Sequence, residues 1–318
     1  MSLVAFKRVL EIKLYSSKFN KYIYFGTNYK RNIDDLNINV TGTKYLSSVK
    51  DTFTISISNL TFEQALNIIE GEYKEVSIRV GYERGNVDEI FKGYVVYISN
   101  KFENANTNNI IILCGNKMLA QYGQKKLNLN LKKGYNMYGA INFILRRSGI
   151  TNSRIDPSLN NRIIDSDLSI DNETIGSFID SFSTSNNFYS SGDSSSSKEI
   201  CTLINPLTTD NREIKLDSNK VVLVNGYPTL TSDGISFSTL PTFNYKPLDV
   251  ICIDNSILDI SISNYSSEEI KKFNYIDPNG KYLIYQLDYS LNNRKGDFYV
   301  GIKGKSKNIY SKLRGAMK

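Results

Sequence analysis

Apolar and polar residues alternate at period two through Phe53-Thr-Ile55-Ser-Ile57 and again through Val76-Ser-Ile78-Arg-Val80. Such alternation predicts strands with one buried face, because successive side chains on a strand point to opposite sides. Gly93-Tyr-Val-Val-Tyr-Ile98 and Ile110-Ile-Ile-Leu-Cys114 predict longer strands, joined as a hairpin by the polar stretch Asn100 to Asn109. Thr61 to Glu70 predicts a short helix, with Thr61 or Asn59 as its cap and Gly71 as its stop. Residues 1 to 120 therefore read as a barrel or sandwich with one helix against its side.

The middle of the chain has a different pattern. Asn136 to Arg147 predicts a helix, with Arg146 and Arg147 in its last turn and Gly149 after it. Residues 172 to 187 predict a second, on the stripe Thr174, Ile175, Phe178, Ile179 and Phe182 at helical spacing, with Asp171 or Asn172 as cap. Ser190 to Ser197 is a polar loop, after which strand-like pieces return at Ile200 to Ile204 and Val221 to Val224.

The last eighty residues are again strand-like, and they echo the first part. Gly93 to Gly115 runs glycine, Tyr-rich apolar strand, Asn-rich turn, apolar strand, glycine. Gly280 to Gly304 repeats that order through Tyr282 to Leu287, Asn292 to Gly296 and Phe298 to Ile302. Two unrelated hairpins would look like this, and so would two copies of one barrel flanking a mixed insert.

Composition narrows the chemistry. The chain has 318 residues, 39 Lys+Arg against 32 Asp+Glu, 22 Tyr, no His and no Trp. Without imidazole there is no Ser-His-Asp triad, no Cys-His pair and no His-ligated zinc. Cys114, Cys201 and Cys252 are too few and too scattered for a disulfide framework or a Cys-only metal site, so unpaired thiols are expected. Lys7, Arg8, Glu11 and Lys13 interrupt any apolar core of a signal peptide, and no apolar run is long enough to span a membrane.

The remaining motifs favour plain readings. Asp165-Ser-Asp167-Leu-Ser-Ile-Asp171-Asn-Glu173 fails as a calcium loop, since its sixth and twelfth positions are Ile170 and Gly176. Gly81 to Gly85 reads as a turn, and Gly301-Ile-Lys-Gly-Lys-Ser306 lacks the first glycine of a phosphate loop. Two basic groups, Lys125, Lys126, Lys132 and Lys133, and Lys303 through Lys318, resemble no nucleic-acid module; solvated surface or an acidic partner protein is expected. No carboxylate pair stands out for glycoside hydrolysis. We expect no catalytic, cofactor-binding or metal site.

The order of segments resembles a known family. Val76-Ser-Ile-Arg-Val-Gly-Tyr82, Glu89-Ile-Phe-Lys-Gly-Tyr-Val95 and Asn109 to Met118 look like the close of that family's first barrel. Ile175 to Phe182 with Asn187-Phe-Tyr189 looks like its middle helix, and Gly234-Ile-Ser-Phe, Tyr245 to Val250 and Gly296-Asp-Phe298 like its closing barrel. The family is the central baseplate hub protein of contractile phage tails and phage-tail-like bacteriocins, the late control protein D or tail hub family. The chain departs from it in lacking His and Trp and in its wealth of Asn, Ser and Tyr.

The resemblance implies a mainly β protein: a tube-like barrel at 1–120, a mixed α/β middle region at 121–235, and a second tube-like barrel with a basic tail at 236–318, which borrows strands from 200–235. It implies a homotrimer forming a pseudo-sixfold ring, a non-enzymatic adaptor between the sixfold tail tube and a threefold central spike. The implied partners are the tube or tube-initiator protein, the spike, other baseplate proteins and the tape-measure protein, with no membrane insertion and no specific nucleic acid. The implied place is the baseplate of a particle assembled in the bacterial cytoplasm. The competing readings are a distal tail or tube-initiator protein, and a carbohydrate-active or wall-binding tail module.

Overall fold

Phe53, Ile55 and Ile57 are fully buried, and the Thr and Ser residues between them lie on the opposite face of the same strand. Their alternation belongs to one large sheet. The computed structural model describes residues 7–26, 36–46, 51–83, 85–104, 107–116, 120, 122, 125–186, 188–191, 201–205, 211–216, 221–231, 234–254, 258, 277 and 279–306. The first part of the chain contributes β1 (Arg8–Ser16), β2 (Lys21–Gly26), β3 (Asn37–Tyr45), β4 (Thr52–Leu60), α1 (Phe62–Glu70), β5 (Tyr73–Tyr82), β6 (Val87–Asn104) and β7 (Thr107–Gly115). The middle contributes β8 (Lys126–Leu131), α2 (Met137–Arg147), β9 (Ser153–Ile155), β10 (Leu168–Thr174), α3 (Ile175–Asn186), β11 (Tyr189–Ser191) and β12 (Cys201–Ile204). The last part adds β13 (Glu213–Lys215), β14 (Leu223–Thr231), β15 (Gly234–Thr239), β16 (Val250–Cys252), β17 (Lys281–Asn292) and β18 (Phe298–Ser306).

Thirteen of these strands form one sheet, in the order β14-β15-β18-β17-β3-β4-β7-β6-β5-β1-β2, with β16 on β17 and β13 on β16. This order contains the same five-stranded unit twice. In the first part β3-β4-β7-β6-β5 are neighbours; in the last part the neighbours are β14-β15-β18-β17-β16. Each unit is a hairpin, a connection, a single strand and a second hairpin, laid out in the same spatial order.

The registers match as well. Phe53 pairs with Cys114, and Cys114 with Val95; Ile235 pairs with Gly304, and Gly304 with Ile284. One step further, each hairpin carries a one-residue bulge, at Val96 in β6 and at Tyr285 in β17. Across the next ladder Val76 pairs with Gly93, as Ile251 pairs with Tyr282. A bulge bends and twists its strand, so its recurrence at one register position gives both units the same curl.

The units join edge to edge. β3 pairs antiparallel with the second half of β17, from Asn39 opposite Asn292 to Tyr45 opposite Gln286. The β17–β18 turn clamps this seam: the Asn293 side chain accepts from the Ile38 N–H at 2.9 Å and donates to the Leu36 carbonyl at 3.1 Å. Beneath the seam one core draws on both ends of the chain, including Ile12, Ile38, Phe53, Ile78, Ile112, Leu287 and Ile302. The middle region has a core of its own around Ile144, Leu145, Leu159, Ile175 and Ile179. It touches the sheet where the Ser190 N–H donates to the Leu46 carbonyl at 3.1 Å.

The helices start and stop for local reasons. Thr61 and Gln64 form a reciprocal capping box on α1, so Thr61 rather than Asn59 is the cap. Asn136 caps α2 by accepting from the Gly139 N–H at 3.0 Å. Three expectations are corrected. The polar stretch Asn100 to Asn109 is ladder rather than loop up to Asn104 and from Thr107, because strand pairing uses backbone groups that polar residues also possess. Residues 172–174 belong to β10, where the Asn172 N–H donates to Asn128 Oδ1 at 2.6 Å; the helix begins at Ile175, with Thr174 accepting from the Ser177 N–H. The echoing hairpins are structural equivalents, but their glycines are not, since Gly93 matches Tyr282 and Gly304 matches Cys114.

Candidate functional site

The structure disperses the residues that chemistry would have needed together. Asp167 accepts from the Lys133 N–H at 2.8 Å and from Lys132 Nζ at 3.0 Å, which holds its carboxyl below the usual range, and the acidic segment runs from an irregular stretch at 165–167 into β10. Among the described residues no three His, Cys, Asp or Glu side chains gather to hold a metal. Gly301 to Ser306 is straight β18, and Gly81 lies in β5 beside a turn closed by the Gly85 N–H on the Tyr82 carbonyl. Lys125 caps the end of α2 through the Ser148 carbonyl at 3.0 Å and sits over the Tyr122 ring. Lys305 lies over the Tyr285 ring and Lys303 faces Asp288 at 3.4 Å; the rest of the basic tail, and 192–197 of the Ser-rich loop, fall outside the described residues. Cys114 and Cys201 are buried and Cys252 half-buried, all three free thiols.

Polar side chains do converge at the seam. Asp51 accepts the Tyr45 N–H at 2.8 Å beside Lys44. Burial pushes the Asp51 carboxyl up to about 7 against the opposing pull of Lys44, and burial lowers the Lys44 ammonium. Nearby, Arg212 holds Asp249 through Nε at 3.0 Å while its guanidinium covers the Phe243 ring, and Asn244 donates to the Glu89 carbonyl at 3.3 Å. These groups tie the 240–249 connection of the second unit to β6 of the first.

The raised Asp51 pKa gives a signed expectation. The unfolded carboxyl ionises near pH 4, before the folded one, so this group subtracts stability as pH rises from about 4 to 7. Asp51→Asn keeps an acceptor for the Tyr45 N–H and should flatten that slope. Urea midpoints at pH 4, 5.5 and 7 read the difference, on the order of 3 kcal/mol across that range.

What remains is surface, and its apolar content is concentrated. Phe62, Leu66 and Ile69 form an exposed stripe at i, i+4 and i+7 along α1, adjoining the face that buries Ala65 and Ile68. α1 packs on β6 and β7, and in β6 Val96 and Tyr97 are also exposed, Tyr97 at 61%. On the far edge of the second unit Tyr227 of β14 is 66% exposed. A separate open groove of about 230 Å³ crosses β1, β2, β5 and β6. In it Glu11 is held by Arg79 at 2.9 Å, Glu89 accepts from Ser77 at 2.6 Å, and Lys13 lies 4.0 Å over the Tyr22 ring. Glu11, Arg79, Glu89 and Lys13 are thus engaged with neighbours on the same sheet.

Helix α1 was legible in the sequence from its cap and its stop, but its exposed apolar stripe was not. The signal was present in Phe62, Ala65, Leu66, Ile68 and Ile69, five apolar positions in eight, more than a single buried stripe needs. Among the described residues no helix is long and apolar enough to cross a membrane.

No protein-family model matches the chain, and no curated protein is significantly similar to it in sequence. Solved structures are similar in fold. The 43 kDa tail protein of prophage MuSo2 from Shewanella oneidensis superposes with a TM-score of 0.56 at 9% identity, over 94% of this chain and 98% of that one. A tail protein of Neisseria meningitidis gives 0.53 at 9% identity, over 96% and 98%. The c3393 protein of E. coli, a component of the type VI secretion system described as structurally similar to the T4 bacteriophage tail proteins gp27 and gp5, gives 0.53 at 10% identity, over 85% and 73%. At such identities the likeness concerns the fold, which this chain shares with phage and type VI secretion tail proteins over nearly its whole length.

Proposed function

We propose that the chain is a structural, non-enzymatic component of a contractile tail particle, namely the central baseplate hub. The observation that carries this reading is the repeat of one five-stranded unit, with one register and one bulge position, inside a chain that has the fold of phage tail proteins. Three copies of a chain with two such units present six similar modules, which is what an adaptor between a sixfold tube and a threefold spike requires. In this reading the first tube-like barrel is 1–120, the middle region is 121–235, and the second barrel is 236–318 and borrows from 200–235 strands such as β13 and β14. The tail tube would sit on one rim of the ring and the spike on the other, with the middle region turned toward baseplate neighbours and the tape-measure protein reaching the pore.

Imaging of intact particles at the tube–spike junction tests this directly. Three copies per particle are expected. Six copies would instead identify a tube-initiator protein, and absence from the junction would remove the hub reading altogether.

A further inference from the structure

The outer face of β1, β2, β5 and β6 is laid out in rows. Tyr24, Lys13, Ser77 and Lys92 are paired neighbours across the four strands, in that order. Glu11, Arg79 and Glu89 form the row on one side of them, and Tyr22, Tyr15 and Glu75 the row on the other. The alternate residues of β1, Leu10, Ile12 and Leu14, are fully buried on the opposite face, so these rows point outward. All of them except Tyr15 line the open groove of about 230 Å³.

Much of this face is fixed before anything binds. Arg79 holds Glu11 and also donates to the Val87 carbonyl at 3.0 Å, Ser77 holds Glu89, and the Lys13 ammonium lies over the rings of both Tyr22 and Tyr24. Side chains held on strands lose little freedom when a ligand arrives. Glu75 and Lys92 are without a side-chain partner among the described residues, one an acceptor and the other a donor. The charges balance, with three cations (Lys13, Arg79 and Lys92) against three carboxylates (Glu11, Glu75 and Glu89). An anion or a cation therefore gains no net attraction here, whereas a hydroxyl, donor and acceptor at once, can use both signs. Tyr22 and Tyr24 are 45% and 37% exposed, with ring centroids 6.4 Å apart. Their open rings offer apolar area with a negative face, to which the C–H groups of a sugar ring are complementary.

We propose that this face is a binding site for a neutral, hydroxyl-rich glycan, which stacks on Tyr22 and Tyr24 and hydrogen-bonds to Glu75 and Lys92. The row from Tyr24 to Lys92 crosses four strands. At the usual strand spacing that is roughly 14 Å, the reach of a short oligosaccharide rather than of a single sugar. The site is complete in one copy of the chain, so it is independent of the hub reading. It binds without making or breaking a covalent bond.

A printed array carrying glucose, mannose, galactose and N-acetylglucosamine oligomers, with sulfated and sialylated oligosaccharides and a single-stranded oligonucleotide beside them, tests this on the purified full chain. Binding to at least one neutral series is expected, above any on the anionic probes. Tyr22→Ala combined with Tyr24→Ala should weaken it by about tenfold or more, while Tyr24→Phe, which keeps the ring, should bind like the wild type. Glu75→Gln combined with Lys92→Gln should weaken it by about tenfold; this pair decides the matter if urea midpoints show that the tyrosine double variant is unfolded. Phe62→Ala, on exposed α1 outside the groove, should change nothing. No neutral glycan bound, or binding to the anionic probes alone, overturns the proposal. So does neutral binding that survives both double replacements, because the glycan then sits elsewhere on the chain.

Discussion

Replacing Phe53 with alanine lowers the stability of both ends of the chain together, by about 3–5 kcal/mol. Phe53 is fully buried on β4, its ring stacked on Phe91 of β6 at 4.4 Å and 5.4 Å from Tyr289 of β17. The ring also fills the space above Gly42, on the strand that forms the seam. Its removal opens a cavity lined from both units, which a rigid sheet cannot close by collapse, so transfer and cavity costs add. Amide exchange followed by mass spectrometry reads the result region by region. Protection should fall in β3 and β4 and equally in β17 and β18, while α2 and α3, which pack on the separate middle core, keep theirs. Ile144→Ala, deep in that middle core, should show the reverse pattern. Loss confined to the first part of the chain would mean that the shared core does not couple the units.

Gly234→Ala should cost on the order of 2–4 kcal/mol and strip the β14–β15 hairpin from the sheet edge. Gly234 has φ +141°, a conformation nearly closed to side chains, and a Cβ there would overlap the Gly304 carbonyl oxygen on β18. The obstacle is backbone, which cannot swing aside as a flexible side chain can. Gly26 sits in the same circumstances at the other end of the sheet, φ +135° against the Leu10 carbonyl. Gly226→Ala is the control within β14: its φ is +105° but its Cβ would meet nothing within 4 Å, so only the dihedral penalty of about 1 kcal/mol applies. Chemical denaturation of the three proteins orders them as wild type, Gly226→Ala, Gly234→Ala. Equal losses in the two variants would show that φ alone, and not overlap with β18, sets the cost.

How much of this was legible beforehand differs from element to element. The strand at Phe53–Ile57 and the capped helix after Thr61 were readable because alternation and capping are local. Even the two hairpins were recognisable as an echo, though their glycines misaligned the copies, since the true correspondence runs through paired backbone positions and a shared bulge. The start of α3 was misplaced by three residues because Asp171 and Asn172 suit a cap as well as they suit a bulged strand, and β8 supplied the partner that chose between them.

By itself the sequence determined the strand-rich class, the local helix signals, the lack of imidazole chemistry and the hint of duplication, all properties of neighbouring residues or of composition. Tertiary structure alone decided that the two units share a sheet and a core, joined by contacts such as that of Ile38 with Asn293, 255 residues apart. The reason is physical: a strand edge offers the same N–H and C=O groups whatever its residues, so the choice of partner is made by the faces that must be buried together.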